Sequence, residues 1–297
     1  MSFEVGILLF LLGLAFGSFL NVVSLRYHPE KGGVFGAHVA RGRSRCLFCQ
    51  KTLSWYELIP LISFVIQKGK CRSCLKTISW QYPLVELASA LLFVFIPLTL
   101  RLLFPFFVAE WGWGAFILAS ALWILVFLLL ILVFVIDLKW YVIPNVVNGL
   151  LLFLGAIWAG LGYWWGLFGN VSGGSFLGVY APLFFGIGQP VLAHLFGGIV
   201  AGVFFFLIVA LSKGRAMGMG DVKLIIPLGV LFGWPDILLV MFLSFVVGSF
   251  VALLLMAFGK KRISDRVPFG PFIVIASAIT FFWGAGLLSA YFGIIGM

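Results

Sequence analysis

Residues Gly114 to Lys139 read GAFILASALWILVFLLLILVFVIDLK. From Gly114 to Ile136 the run holds 23 residues and no charge, enough to cross a hydrocarbon core of roughly 30 Å as one helix. A carboxylate, Asp137, closes it, with Lys139 two residues on. Blocks of similar character recur at Val5–Leu25, Leu84–Phe104, Val142–Gly162, Val191–Leu211, Val222–Trp234, Ile237–Phe258 and Phe272–Phe292. Together they predict an all-α polytopic membrane protein of about eight transmembrane helices, the sixth being the shortest. Composition agrees. Of 297 residues, 63% are hydrophobic and 9% charged, against about 25% charged in a soluble domain. Soluble enzyme, secreted mini-protein, disordered tail and collagen-like fibre are excluded.

No basic residue precedes the first block and no A-x-A site follows it, so it reads as a retained helix rather than a cleaved signal. The net charge of +10 would suggest nucleic acid in a soluble protein; here it marks a membrane face. With the N-terminus outside and eight spans threaded, 18 of the 19 Lys and Arg residues fall on one side and only Arg101 on the other. That asymmetry assigns the rich side to the cytoplasm and leaves both termini outside. Parity requires the short sixth block to cross, since otherwise the Lys260–Arg266 cluster would sit outside; a re-entrant segment is the alternative. The expected organisation is a first helix (1–25), a cytoplasmic insert (26–82) and a seven-helix membrane core (83–297). The exported loop near Gly166–Gln189, rich in Gly and Phe, suggests no chemistry.

All four cysteines lie in the insert, as Cys46-x-x-Cys49 and Cys71-x-x-Cys74 with 21 residues between the pairs. Two such knuckles suit a tetrahedral zinc ion with four thiolate ligands. Arg43, Arg45, Lys70 and Arg72 flank them and favour thiolates. The alternatives are free thiols or two disulfides, and a reducing cytoplasm disfavours disulfides. A closed four-sulfur site leaves no position for chemistry, so this metal would fold the insert. Between the knuckles Trp55-Tyr56-Glu57-Leu58-Ile59-Pro60 is too short to span and suits the membrane interface.

Among nine acidic residues, two stand out. Asp137 ends the third span, shortly before Ile143-Pro144-Asn145. Asp221 opens the sixth in Gly218-Met219-Gly220-Asp221-Val222-Lys223. The threading puts both at cytoplasmic helix ends, and ionisable groups at a membrane boundary need a partner or a water-filled cavity. Two carboxylates brought close share one proton, so one can activate water while the other protonates a carbonyl. Gly218 and Gly220 would let backbone, substrate or a helix approach closely. Helix capping, or pairing with Lys139 and Lys223, is the competing reading. Asn21 reads as a hydrogen-bonding group between helices, and His28, His38 and His194 lack ligand spacing.

The chain resembles the type IV prepilin peptidases, membrane aspartic proteases of the GxGD class. The resemblance rests on Gly13-Leu-Ala-Phe-Gly17-Ser18-Phe19-Leu20-Asn21, the paired knuckles, Ile78-Ser-Trp80-Gln-Tyr82-Pro83-Leu-Val-Glu86, Asp137 with Ile143-Pro144-Asn145, Gly218-Met-Gly220-Asp221, and Pro268-Phe-Gly270-Pro271. It implies that Asp137 and Asp221 are the catalytic pair, in the bacterial cytoplasmic membrane with the site facing the cytoplasm. The implied substrates are prepilins or pseudopilins of type IV pili or type II secretion. Their short basic leader would be cut after a glycine and the new N-terminus methylated from S-adenosylmethionine. No soluble-type methyltransferase motif is present; Glu57 and Glu86 are the candidates for the donor. Two rival classes remain, a transporter using the aspartates as a cation relay and a non-enzymatic secretion scaffold. Neither nucleic acid nor a particular oligomer is implied.

Overall fold

The computed structural model describes residues 2–29, 33, 34, 36, 42–105, 107–165, 175–184, 187, 189–259 and 267–295. The Lys260–Arg266 cluster, His38 and the first part of the exported loop lie outside these residues. The helices are α1 (Phe3–Arg26), α2 (Ile62–Ile66), α3 (Gln81–Leu103), α4 (Phe107–Trp140), α5 (Asn145–Trp164), α6 (Pro190–Leu211), α7 (Met219–Phe232), α8 (Asp236–Ala257) and α9 (Gly270–Ile295). Among the described residues extended pairing is limited to two isolated bridges, Arg45 with Thr52 and Lys70 with Thr77. Two compact units emerge, Met1–Thr99 with Trp123–Leu132, and Leu100–Leu122 with Val133–Met297.

In the first unit α1 and α3 run antiparallel and nearly touch. A Cβ on Gly13 would lie 2.6 Å from Ala90 Cα, and one on Gly17 2.7 Å from Glu86 Cα, so small residues set this approach. Asn21 then donates to the Tyr82 carbonyl (3.1 Å) and accepts from Gln81 (3.4 Å), the inter-helix role expected of it. Glu86 reaches out of α3 to take the N–H of Leu61 (2.9 Å), tying the insert to the membrane helices.

In the second unit α7 lies antiparallel to α6 along a row of glycines. A Cβ on Gly197 would meet Gly229 O at 2.7 Å, on Gly198 the Val230 side chain at 2.8 Å, and on Gly202 Ile226 at 2.8 Å. Helix α5 runs beside α7 in the same direction, since Gly220 faces Ile143 and Gly155 faces Val230 and Leu231. Helix α4 contributes to both units and is apolar all round; Trp123, Val126 and Leu130 are fully buried in its first-unit part, and Val133 and Ile136 in its second-unit part. Its helix begins in earnest after Gly112, whose φ of +78° breaks the run.

Seven helices among the described residues are long and apolar enough to cross a membrane. The expected sixth span, Val222–Trp234, is realised as α7, whose 14 residues rise only about 21 Å. Gly233, at φ +74° and with His194 Nδ1 2.9 Å from where its Cβ would sit, ends it; α8 starts at Asp236. The end of α7 is covered by the described part of the loop before α6. Phe176 is 1% exposed and packs on Phe232 (5.7 Å between ring centroids) and Phe281 (4.8 Å). A segment to which the sequence assigned no chemistry thus packs over the end of a helix of only 14 residues.

Candidate active site

Asp137 sits in the last turn of α4 and Asp221 at the third position of α7. Both are buried, 4% and 7% exposed. Asp221 is placed by its own helix. Its Oδ2 accepts the N–H of Gly218 at 3.2 Å, and a carboxylate in a first helical turn is favoured by the helix dipole. Asp137 is placed by its surroundings. A Cβ on Gly270 would fall 2.6 Å from Asp137 Oδ2 and 3.3 Å from Ile143 Cδ1, so the start of α9 can lie against the carboxylate only as glycine. The Gly270 N–H approaches the carboxyl group without reaching hydrogen-bond geometry with Oδ2, which is buried with no partner among the described residues.

Ile143 joins the two halves. It lies against Gly270, beside Asp137, and against Gly220, one residue before Asp221, 3.7 Å from where its Cβ would sit. One side chain therefore lies next to the backbone that flanks each of the two aspartates. The lysines two residues beyond each aspartate are engaged elsewhere: Lys223 donates to Asn145 Oδ1 at 3.2 Å, and Lys139 lies over the Trp140 ring at 5.2 Å. Among the described residues nothing crowds Gly218 or Gly220, whose added Cβ atoms would meet their nearest neighbours at an ordinary 3.7 Å. The enforced close approach is at Gly270, which the sequence offered only inside Pro268-Phe-Gly270-Pro271.

In the first unit the two knuckles repeat one conformation. Cys46 N–H bonds Lys51 O (3.0 Å) and Gln50 N–H bonds Cys46 O (3.0 Å); Cys71 N–H bonds Lys76 O (2.9 Å) and Leu75 N–H bonds Cys71 O (2.9 Å). Gln50 and Leu75, each four residues past the first cysteine of its pair, both take φ of 58°. All four sulfurs lie within 4.8 Å of one another. Cys46 and Cys74 are 3.8 Å apart, the edge of a tetrahedron with metal–sulfur bonds of about 2.3 Å and far beyond a disulfide of about 2.05 Å. The N–H groups of Cys74 and Ser73 aimed at Cys71 bring its pKa down to about 7, while Cys74 beside it is pushed up to about 11, the Lys76 N–H being outweighed by burial and the other sulfurs. The donor set fits one four-coordinate soft cation. Glu57 accepts the Ser54 N–H (2.9 Å) and caps the Trp55–Leu58 turn, while Glu86 is spent on Leu61.

One further buried acid went unnoticed in the sequence. Asp236, 1% exposed, accepts the Ser175 hydroxyl and the Phe176 N–H (2.8 Å), with Leu177 N–H also directed at it. The available signal was a carboxylate between Pro235 and the apolar run from Ile237.

Residues 11–100 match the bacterial peptidase A24 N-terminal domain and residues 123–253 the type IV leader peptidase family. Three curated relatives, each called prepilin leader peptidase/N-methyltransferase, align along nearly their whole length. That of Aeromonas hydrophila is 32% identical over 302 residues, covering 96% of this chain and 92% of its own. That of Pseudomonas aeruginosa is 30% identical over 298 residues, covering 95% and 91%, and that of Legionella pneumophila 24% over 300 residues, covering 95% and 93%. No solved structure matches.

Proposed function

The chain belongs to the type IV leader peptidase family, and from that premise we propose that Asp137 and Asp221 are the catalytic pair with which it cuts prepilins. The protein is a membrane-embedded enzyme that removes the leader of type IV prepilins or pseudopilins and N-methylates the product. One observation carries the assignment of the pair: Asp137 Oδ2 is buried with no partner among the described residues beside Gly270, and Ile143 lies both against Gly270 and against Gly220, one residue before an Asp221 held by its helix.

Two carboxyls so placed hold one proton between them, a property of the pair rather than of either residue. With water between them, the ionised member takes a proton as the water oxygen attacks the scissile carbonyl carbon, and the protonated member gives its proton to the carbonyl oxygen. The tetrahedral intermediate then breaks its C–N bond, the proton returning to the departing amine. Positive-inside threading puts this site at the cytoplasmic face of the inner membrane with both termini outside. A basic leader would lie at that face, and the substrate's hydrophobic helix would reach the pair laterally through the bilayer, where confinement supplies proximity. Gly218 and Gly220, uncrowded among the described residues, leave room for substrate backbone.

Cys46, Cys49, Cys71 and Cys74 would hold zinc, which when bound cross-links the two knuckles and stabilises the insert. S-adenosylmethionine is the methyl donor the family resemblance implies. Glu57 and Glu86 each already accept a backbone N–H, so the geometry singles out neither as its ligand.

The deciding experiment measures cleavage of a prepilin by purified Asp137→Asn and Asp221→Asn proteins. Each is expected to lose about 10²- to 10⁴-fold in rate while remaining folded; wild-type cleavage by either would remove that residue from the pair.

A further inference from the structure

Asn148, in the first turn of α5, is 7% exposed, and neither its Oδ1 nor its Nδ2 has a hydrogen-bond partner among the described residues. An amide buried this way lowers stability. Leucine would fill the place without that cost, so the polar group calls for a ligand that supplies the missing bonds. The start of α5 lies at the dyad. Ile143, two residues before the helix, touches the Gly220 and Gly270 positions that flank Asp221 and Asp137, and Asn145 takes the Lys223 ammonium. Gly155 faces Val230 and Leu231 of α7. Asn148 precedes it by seven residues, two helical turns, and so shares its face. Asn148 therefore lies on the α5 face turned toward α7, about 4.5 Å further along the axis than Asn145.

We propose that Asn148 binds the main chain of the substrate on the product side of the scissile bond. This rests on the prepilin-cleaving reading above. Hydrolysis needs the peptide bond in extended form, yet the residues after the cut lead into the substrate's hydrophobic helix. Drawing them out of that helix strips backbone N–H and C=O groups of their partners where water is scarce. A carboxamide offers both a donor and an acceptor, the complement of one extended residue. With the leader at the cytoplasmic surface, a group one turn deeper than the dyad meets the segment that follows the cut.

The test compares full-length wild type, Asn148→Leu and Asn148→Thr in detergent with a purified prepilin. Asn148→Leu is expected to lower kcat/KM about tenfold to a hundredfold, mainly through KM, with a melting temperature equal to or above wild type. Asn148→Thr, which restores a short donor and acceptor, is expected to recover several-fold of that loss. In an Asp137→Asn background, where substrate is not consumed, Asn148→Leu should weaken prepilin binding by a similar factor. A merely structural asparagine would instead move stability and leave binding alone. Equal kcat/KM for wild type and Asn148→Leu overturns the assignment, as does equal activity of Asn148→Thr and Asn148→Ala should the leucine protein fail to fold. A wild type that cuts no prepilin takes down the underlying reading, and this one with it.

Discussion

The two ends of α7 carry the same ingredients and opposite outcomes. At its start Gly218-Met-Gly-Asp221 brings a buried aspartate beside Asp137; at its finish Gly233-Trp-Pro-Asp236 brings another. Asp236 is saturated by the Ser175 hydroxyl and the Phe176 N–H, and fixes the loop that packs over the end of a short helix. Asp137 keeps an oxygen with no partner among the described residues. Burial alone does not separate the carboxylates proposed for catalysis from one engaged in structure. What distinguishes them is whether the fold has already used the lone pairs.

The contrast breaks if substitutions at the two ends cost the same thing. The largest expected effect is at the open end, where Asp221→Asn lowers kcat/KM for prepilin about 10²- to 10⁴-fold with the melting temperature held or raised. Next comes Gly270→Ala, whose Cβ would fall 2.6 Å from Asp137 Oδ2. Displacing the carboxylate by about an ångström is expected to cost up to about a hundredfold in rate with little change in unfolding. At the closed end Asp236→Ala removes the acceptor that the Ser175 hydroxyl and the Phe176 N–H use. We expect a loss of about 1–3 kcal/mol, seen as a lower melting temperature, while cleavage per folded molecule stays within a few-fold of wild type. The smallest effect on the dyad is expected from Cys71→Ser, which should lower bound zinc, measured by elemental analysis, and expose the insert to protease. Unchanged zinc content would contradict the four-sulfur site.

Legibility followed the range of the interactions. The span ending at Asp137 could be read because 23 consecutive uncharged residues leave a helix no environment but lipid, and the knuckles because both ligands of each pair lie within four residues. The meeting of Asp137 with Asp221, 84 residues apart (221 − 137), was reachable only through common sidedness and family resemblance. The shortness of α7 was legible too, since the block Val222–Trp234 holds only 13 residues; what ends it was not. Its apolar character runs on through Trp234 into α8, and the stop depends on His194 against Gly233 and on Phe176 from a distant loop. Gly270 and Asn148 were invisible for the same reason, since what each side chain meets, or fails to meet, is settled by another helix.

The most direct test of the central claim is a double-mutant cycle on prepilin cleavage with Asp137→Asn, Asp221→Asn and the combined variant. If the two carboxyls act as one unit, each single change removes at least about a hundredfold and the double change removes no more than the worse single. Losses that multiply, or either single variant cutting at the wild-type rate, would contradict it.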